Sequence, residues 1–267
     1  MTGMTPSRNG QNNGQDNHQI GAWLHDDSFG WRGRIGSINP STSVTFEHEW
    51  PRMLPKGVSF HVTRLMLERA TTESLDGMAH EAPAAARLLK TSRVNALCYG
   101  CTIGSLYRGR KGEDALIASL QEVVSVPVLT MARSAAEAMN SLGLRTIAVA
   151  NPYTPEINDF VRAYLEESGF IVRTIVAQPF AESWRITELV PADVLALAKR
   201  TIAEAGEIDG LFLSCGNMRT VDVIDAIEKD TGYPVVSSNQ AMLWAALKAI
   251  DVREPVNAFG RLLARPR

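Results

Sequence analysis

The feature that most constrains this chain is an internal echo. Arg34 to Thr42 reads Arg-Ile-Gly-Ser-Ile-Asn-Pro-Ser-Thr, and Arg145 to Thr154 reads Arg-Thr-Ile-Ala-Val-Ala-Asn-Pro-Tyr-Thr, which sets Asn39 and Asn151 112 residues apart. Cys101 is echoed by Cys215 at an offset of 114, and an apolar run led by Pro127 by one led by Pro234 at 107. Ordered matches at nearly one spacing mark a duplicated unit. Two similar units that share a cleft would each deliver one cysteine to it.

The elements inside each unit follow from periodicity. Short β-branched runs begin near Arg34, Val58, Val94, Val126, Thr146, Phe170, Gly210 and Pro234, and longer amphipathic stretches separate them. That alternation predicts an α/β chain whose parallel sheets are covered by helices. We expect two pseudo-symmetric halves, residues 31–143 and 144–250, followed by a C-terminal extension over 251–267. Open parallel sheets bind ligands beyond the carboxyl ends of their strands, so the cleft between the halves is the expected site. Residues 1 to about 30 are rich in Asn, Gln and Gly, lack the pattern of a signal peptide, and read as a mobile or assembly tail.

Charge and composition exclude several functions. The formal net charge is −2, with no basic stripe interleaved with aromatics, so a nucleic-acid partner is not expected. No apolar run approaches the roughly 18 to 20 residues of a membrane helix, so no membrane partner is expected either. Three cysteines form no disulfide framework and point to a reducing, cytoplasmic setting. There is no phosphate-binding G-x-x-x-x-G-K-[ST], and the glycines at 30, 33 and 36 do not fit G-x-G-x-x-G, so no nucleotide cofactor is indicated.

The chemistry therefore rests on thiols. Cys101 and Cys215 each follow an apolar strand at a point where a helix is expected to begin, and helix-terminal amides there would stabilise a thiolate. Small or polar residues follow each, Thr102-Ile103-Gly104-Ser105 and Gly216-Asn217, whose amides can cradle a carboxylate. Cys98 has no counterpart in the second half and reads as core packing. Cys98-Tyr99-Gly100-Cys101 spells C-x-x-C, but its first cysteine lies within a strand rather than at a helix start. No histidine pair completes a zinc site with Cys215, so no metal is expected.

Several motifs together resemble the aspartate/glutamate racemase superfamily, in the branch of maleate cis-trans isomerases and arylmalonate decarboxylases. They are Ser214-Cys215-Gly216-Asn217-Met218-Arg219-Thr220, Pro234-Val235-Val236-Ser237-Ser238-Asn239-Gln240-Ala241, Pro40-Ser41-Thr42-Ser43-Val44-Thr45 and Tyr107-Arg108-Gly109. The resemblance spans about Arg34 to Arg261. It implies a cofactor-independent isomerase of a small carboxylic acid, with Cys101 as nucleophile or base and Cys215 as the opposing acid. It also implies that Tyr153 donates its hydroxyl to a substrate carboxylate. Ser41, Thr42 and Ser43 would line one carboxylate pocket, with Thr102, Gly216 and Asn217 adding donors and Ser237 and Ser238 in support. The decarboxylases carry glycine at the position of Cys101, so two cysteines favour the isomerase arrangement. Maleate isomerases place a carboxylate-holding Asn where this chain has Ser43, which leaves the acid open. Racemisation of an amino acid or related α-chiral acid, an arylmalonate-type decarboxylation, and non-catalytic binding of a small acid are the alternatives. A homodimer or larger homo-oligomer is the expected assembly.

Overall fold

All eight expected strands form, in two four-stranded parallel sheets, in a computed structural model that describes residues 29–267. The first sheet holds β1 (Gly33–Pro40), β2 (Val58–Leu65), β3 (Ala96–Tyr99) and β4 (Val128–Thr130) in the order β2-β1-β3-β4. The second holds β5 (Thr146–Asn151), β6 (Ile171–Ala177), β7 (Gly210–Leu213) and β8 (Val235–Ser237) in the order β6-β5-β7-β8. One strand order used twice is the structural counterpart of the sequence echo. β3 and β7 are central and wholly buried, as expected of parallel strands covered on both faces. Residues 1–28 of the expected tail lie outside the described residues.

Among the described residues ten α-helices complete the layers: α1 (Val44–Met53), α2 (Thr72–Thr91), α3 (Thr102–Leu106), α4 (Gly109–Gln121), α5 (Met131–Ser141), α6 (Pro155–Glu167), α7 (Pro191–Ala205), α8 (Ile224–Thr231), α9 (Ser238–Ala249) and α10 (Gly260–Leu263). Local signals start several of them. Thr71 and Ser74 cap α2 reciprocally, Pro155 and Pro191 occupy the first turns of α6 and α7, and Ser237 exchanges bonds with Gln240 to cap α9. Among the described residues no helix is long and apolar enough to cross a membrane.

The seam between the halves is made by an exchange of helices. α5, which follows β4, packs on α9 and touches β8, whereas α9, which follows β8, reaches back to β3 and β4. Residues Ser238–Leu247 of α9 are all buried, so this helix has no solvent face to lose. Burying it between the sheets fixes their carboxyl ends against each other. α10 and a 3₁₀ turn at Ser183–Glu188 were not expected, being too short to show periodicity. A helix follows directly only on Cys101. After Cys215 the chain makes turns until α8 begins at Ile224, which corrects the expectation of a helix start at both thiols.

Candidate active site

Cys101 stands at the N-cap of α3, one residue beyond β3 and Gly100. Gly100 is required there: a Cβ would overlap the Asn39 Oδ1, because β1 and β3 close together through the Gly100 N–H to Ile38 O bond of 2.8 Å. The Cys101 Sγ accepts the N–H of Gly104 at 3.3 Å. Cys215 follows β7 in the same way, and its Sγ accepts the N–H of Asn217 at 3.3 Å. Both thiols are free, and both line one cleft of about 400 Å³, counting the space open at its mouth.

Thr42, Ser43, Thr102, Tyr153, Gly216 and Asn217 line the same cleft. Ser43 occupies the N-cap position of α1 but makes no capping bond, which leaves its buried hydroxyl available to a ligand. The Tyr153 phenol is buried beside both thiols and the Thr102 hydroxyl. Its loop is fixed by the Tyr153 N–H donating to Asn151 Oδ1 at 3.0 Å. Thr102 donates toward Ser238 Oγ at 3.1 Å, so Ser238 supports the cleft from α9, while Ser237 is spent on capping that helix.

Three placements differ from expectation. Ser41 is not among the cleft-lining residues. Its Oγ accepts the N–H of Leu67 at 3.1 Å and its own N–H donates to Leu65 O at 2.7 Å, so it ties the β1 loop to the β2 loop. The Thr42 hydroxyl is likewise committed, to Leu67 O at 3.2 Å. Asn217 spends its whole side-chain amide inside the protein. Nδ2 donates to Thr42 O (3.1 Å) and Ser183 O (3.0 Å), and Oδ1 accepts the Thr45 N–H (3.3 Å). Leu67, Ala70, Ile103 and Ile186 form an apolar wall that no motif announced. At the mouth, Ser183 N–H donates to Glu68 O at 3.0 Å and Arg69 pairs with Glu182 at 3.4 Å, closing one half over the other.

The electrostatics correct a further expectation. Burial pushes the Cys101 thiol up to about 12, against the opposing pull of the Gly104 and Ile103 amides, and the facing Cys215 adds to the rise. Burial also raises Cys215, although the Asn217 amide and the Tyr153 phenol pull it down. Amides and a helix terminus do stabilise the thiolate, but burial outweighs them. Cys98 is fully buried, raised by burial alone, and lies in β3 as packing. No cluster of metal-ligating side chains occurs among the described residues.

Comparison with known proteins agrees with this geometry. The family model described as arylmalonate decarboxylase matches residues 35–263. A maleate isomerase of Pseudomonas putida is 30% identical over 244 residues, covering 86% of this chain and 97% of the relative. An arylmalonate decarboxylase of Bordetella bronchiseptica is 28% identical over 214 residues, covering 80% and 89% respectively. The crystal structure of a cysteine-to-alanine variant of the Pseudomonas putida S16 maleate isomerase with maleate superposes with a TM-score of 0.81 at 25% identity, covering 87% of this chain and 97% of that one.

Proposed function

The chain belongs to the arylmalonate decarboxylase family, and from that premise we propose that it is a cofactor-independent isomerase of a small unsaturated carboxylic acid of the maleate type. The observation that carries this reading is the matched pair of thiols: Cys101 and Cys215 leave equivalent strands of two duplicated halves and line one cleft. The maleate isomerase of Pseudomonas putida supports the choice of substrate class.

Each residue has a defined task in this reading. Cys101, once ionised, adds its sulfur to one alkene carbon, and the π electrons move to the neighbouring carbon. The Cys215 thiol gives that carbon its proton, leaving a thioether with a single bond where the double bond stood. Rotation about that bond is then unhindered. Cys215 takes a proton back, the double bond re-forms in the trans arrangement, and Cys101 leaves as thiolate. Tyr153 and Ser43 supply hydroxyl donors for carboxylate oxygens, and amides beside Thr102 and Gly216 add backbone donors. Three free thiols are at home in a reducing cytoplasm.

The test is incubation with maleate, and separately with a panel of amino acids and with an arylmalonate, in D2O, followed by NMR. Conversion of maleate to its trans isomer is the expected result. Deuterium at Cα of an amino acid without cis-trans conversion would replace this reading by racemisation, and release of carbon dioxide from an arylmalonate by decarboxylation.

A further inference from the structure

Glu49 belongs to α1 in the first half, yet the hydrogen-bond partners of its carboxylate come from the second. It is buried, and its Oε1 accepts the backbone N–H groups of Thr220 (2.6 Å) and Val221 (2.9 Å). Its Oε2 accepts Nδ2 of Asn239 at 2.6 Å. The same amide nitrogen donates its other hydrogen to the Gly216 carbonyl at 3.0 Å. Two hydrogen bonds therefore run from Glu49 to the residue next to Cys215. Asn239 itself is held by Trp50, whose Nε1 donates to the Asn239 backbone carbonyl at 3.2 Å, while its side-chain oxygen is buried without a partner.

We propose that Glu49 is a positioning residue for Cys215: as a carboxylate it fixes the loop from Cys215 to Val221 and opposes a second negative charge on the Cys215 sulfur. The proposal rests on the reading of Cys215 as the proton donor, a role that needs the thiol both held in place and protonated.

The hydrogen-bond pattern makes the two states of Glu49 unequal. Oε1 faces two backbone N–H groups that cannot turn round, so an added proton must sit on Oε2. There it meets the Nδ2 of Asn239, also a donor at 2.6 Å, and more distantly the Thr220 hydroxyl at 3.4 Å, which would have to turn to accept it. Rotating the Asn239 amide would offer its unpartnered oxygen to that proton, but it would then set oxygen against the Gly216 carbonyl. Protonation of Glu49 thus weakens the Asn239 link that steadies Gly216, and ionisation secures it.

Charge acts in the same direction. An ionised Glu49 raises the proton affinity of Cys215. Burial lifts Glu49 itself to about 7, partly offset by the Val221, Asn239 and Thr220 donors. The other charged groups near it are Asp222, which adds to the rise, and Arg52, which is paired with Asp222 at 2.7 Å. Arg219 also pairs with Asp222, at 3.3 Å, and α9 presents only the uncharged Asn239 to the carboxylate. The change of state therefore falls near neutral pH.

Thiol reactivity tests this without reference to turnover. The full-length protein is alkylated with iodoacetamide from pH 6 to 9, and the Cys215 and Cys101 peptides are quantified separately by mass spectrometry. For a thiol with a raised pKa the rate climbs tenfold per pH unit. Cys101 should follow that line, while Cys215 should fall below it across pH 6 to 8 by a factor on the order of ten, as Glu49 ionises. In Glu49→Gln the Cys215 profile should straighten and coincide with wild type only at the acidic end. A Cys215 profile parallel to that of Cys101 in the wild type overturns the proposal, and this arm needs no variant to fold. An increase in Glu49→Gln that is uniform at every pH overturns it too, because it marks a packing role only. Failure of maleate conversion, by contrast, would count against the proposed function and leave the alkylation profiles to be read on their own.

Discussion

The side-chain amide of Asn217 donates to the Thr42 carbonyl at 3.1 Å, so the loop that follows Cys215 in one half is hooked to the loop that opens α1 in the other. The same amide holds Ser183 O and the Thr45 N–H, bringing three chain segments to the rim of one cleft.

Asn217→Ala should therefore act through structure. It leaves two carbonyls and one N–H without their partner, at a cost of about 1 to 3 kcal/mol in unfolding free energy. Urea denaturation should show the loss, and turnover should fall with it as the Cys215 loop loosens. An unchanged unfolding midpoint with a raised KM would instead make the Asn217 side chain a substrate ligand.

The three cysteines should separate cleanly. Cys101→Ala and Cys215→Ala should each lower maleate conversion by about 10² to 10⁴-fold or more while the far-ultraviolet circular dichroism is unchanged. Cys98→Ala, deep in β3, should leave turnover intact and cost about 1 kcal/mol, as for one buried methyl-sized group. Near wild-type conversion by either cleft variant would rule out a two-thiol reaction.

Tyr153→Phe removes one hydroxyl and keeps the ring. The phenol lies in the cleft beside Cys215, Cys101 and Thr102, in position to reach a bound carboxylate. Losing a hydrogen bond to a charged group costs about 1.5 to 3 kcal/mol, so kcat/KM should drop roughly 10- to 150-fold. The phenol also holds the Cys215 thiol down, so Cys215 alkylation at a fixed pH should slow in the variant. Unchanged kinetics with reduced stability would make it a structural hydrogen bond.

Much of this arrangement was legible in the residues. The Asn39/Asn151 and Cys101/Cys215 echoes imply two similar halves, and β-branched runs locate the strands, because a duplicated parallel sheet leaves both marks in sequence. What escaped is tertiary. Glu49 lies in Glu-His-Glu-Trp and reads as an ordinary helix charge, since its partner Asn239 is 190 residues away. The commitment of Asn217 to Thr42, Thr45 and Ser183 depends on three loops meeting, which no local pattern encodes. The acidity of the thiols was misjudged for the same reason: amides near a cysteine are visible in sequence, but the exclusion of water is not.

Burial of Glu49 also has a thermodynamic signature. Its folded-state value of about 7 lies above the ordinary 4.5, so folding favours the protonated form. The associated stability is fully present below about pH 4.5 and is lost as pH rises through 7. At 1.36 kcal/mol per pH unit, the raised affinity corresponds to about 3 kcal/mol lost between acid and alkaline limits. Asp76, Asp209 and Asp222 are shifted the other way, so their contributions are in place throughout pH 5 to 8 and vanish only in stronger acid. His61 is lowered by burial and gains stability as pH rises, against the trend of Glu49, whereas Glu228 is raised by burial and runs with it. The difference between wild type and Glu49→Gln removes these shared contributions. Urea unfolding at pH 5, 6, 7 and 8 should show the wild type losing stability relative to Glu49→Gln as pH rises from 5 to 7, with the difference levelling off above pH 7. Parallel curves would mean that water reaches Glu49 in solution, and the carboxylate could not then act on Cys215 as a buried charge.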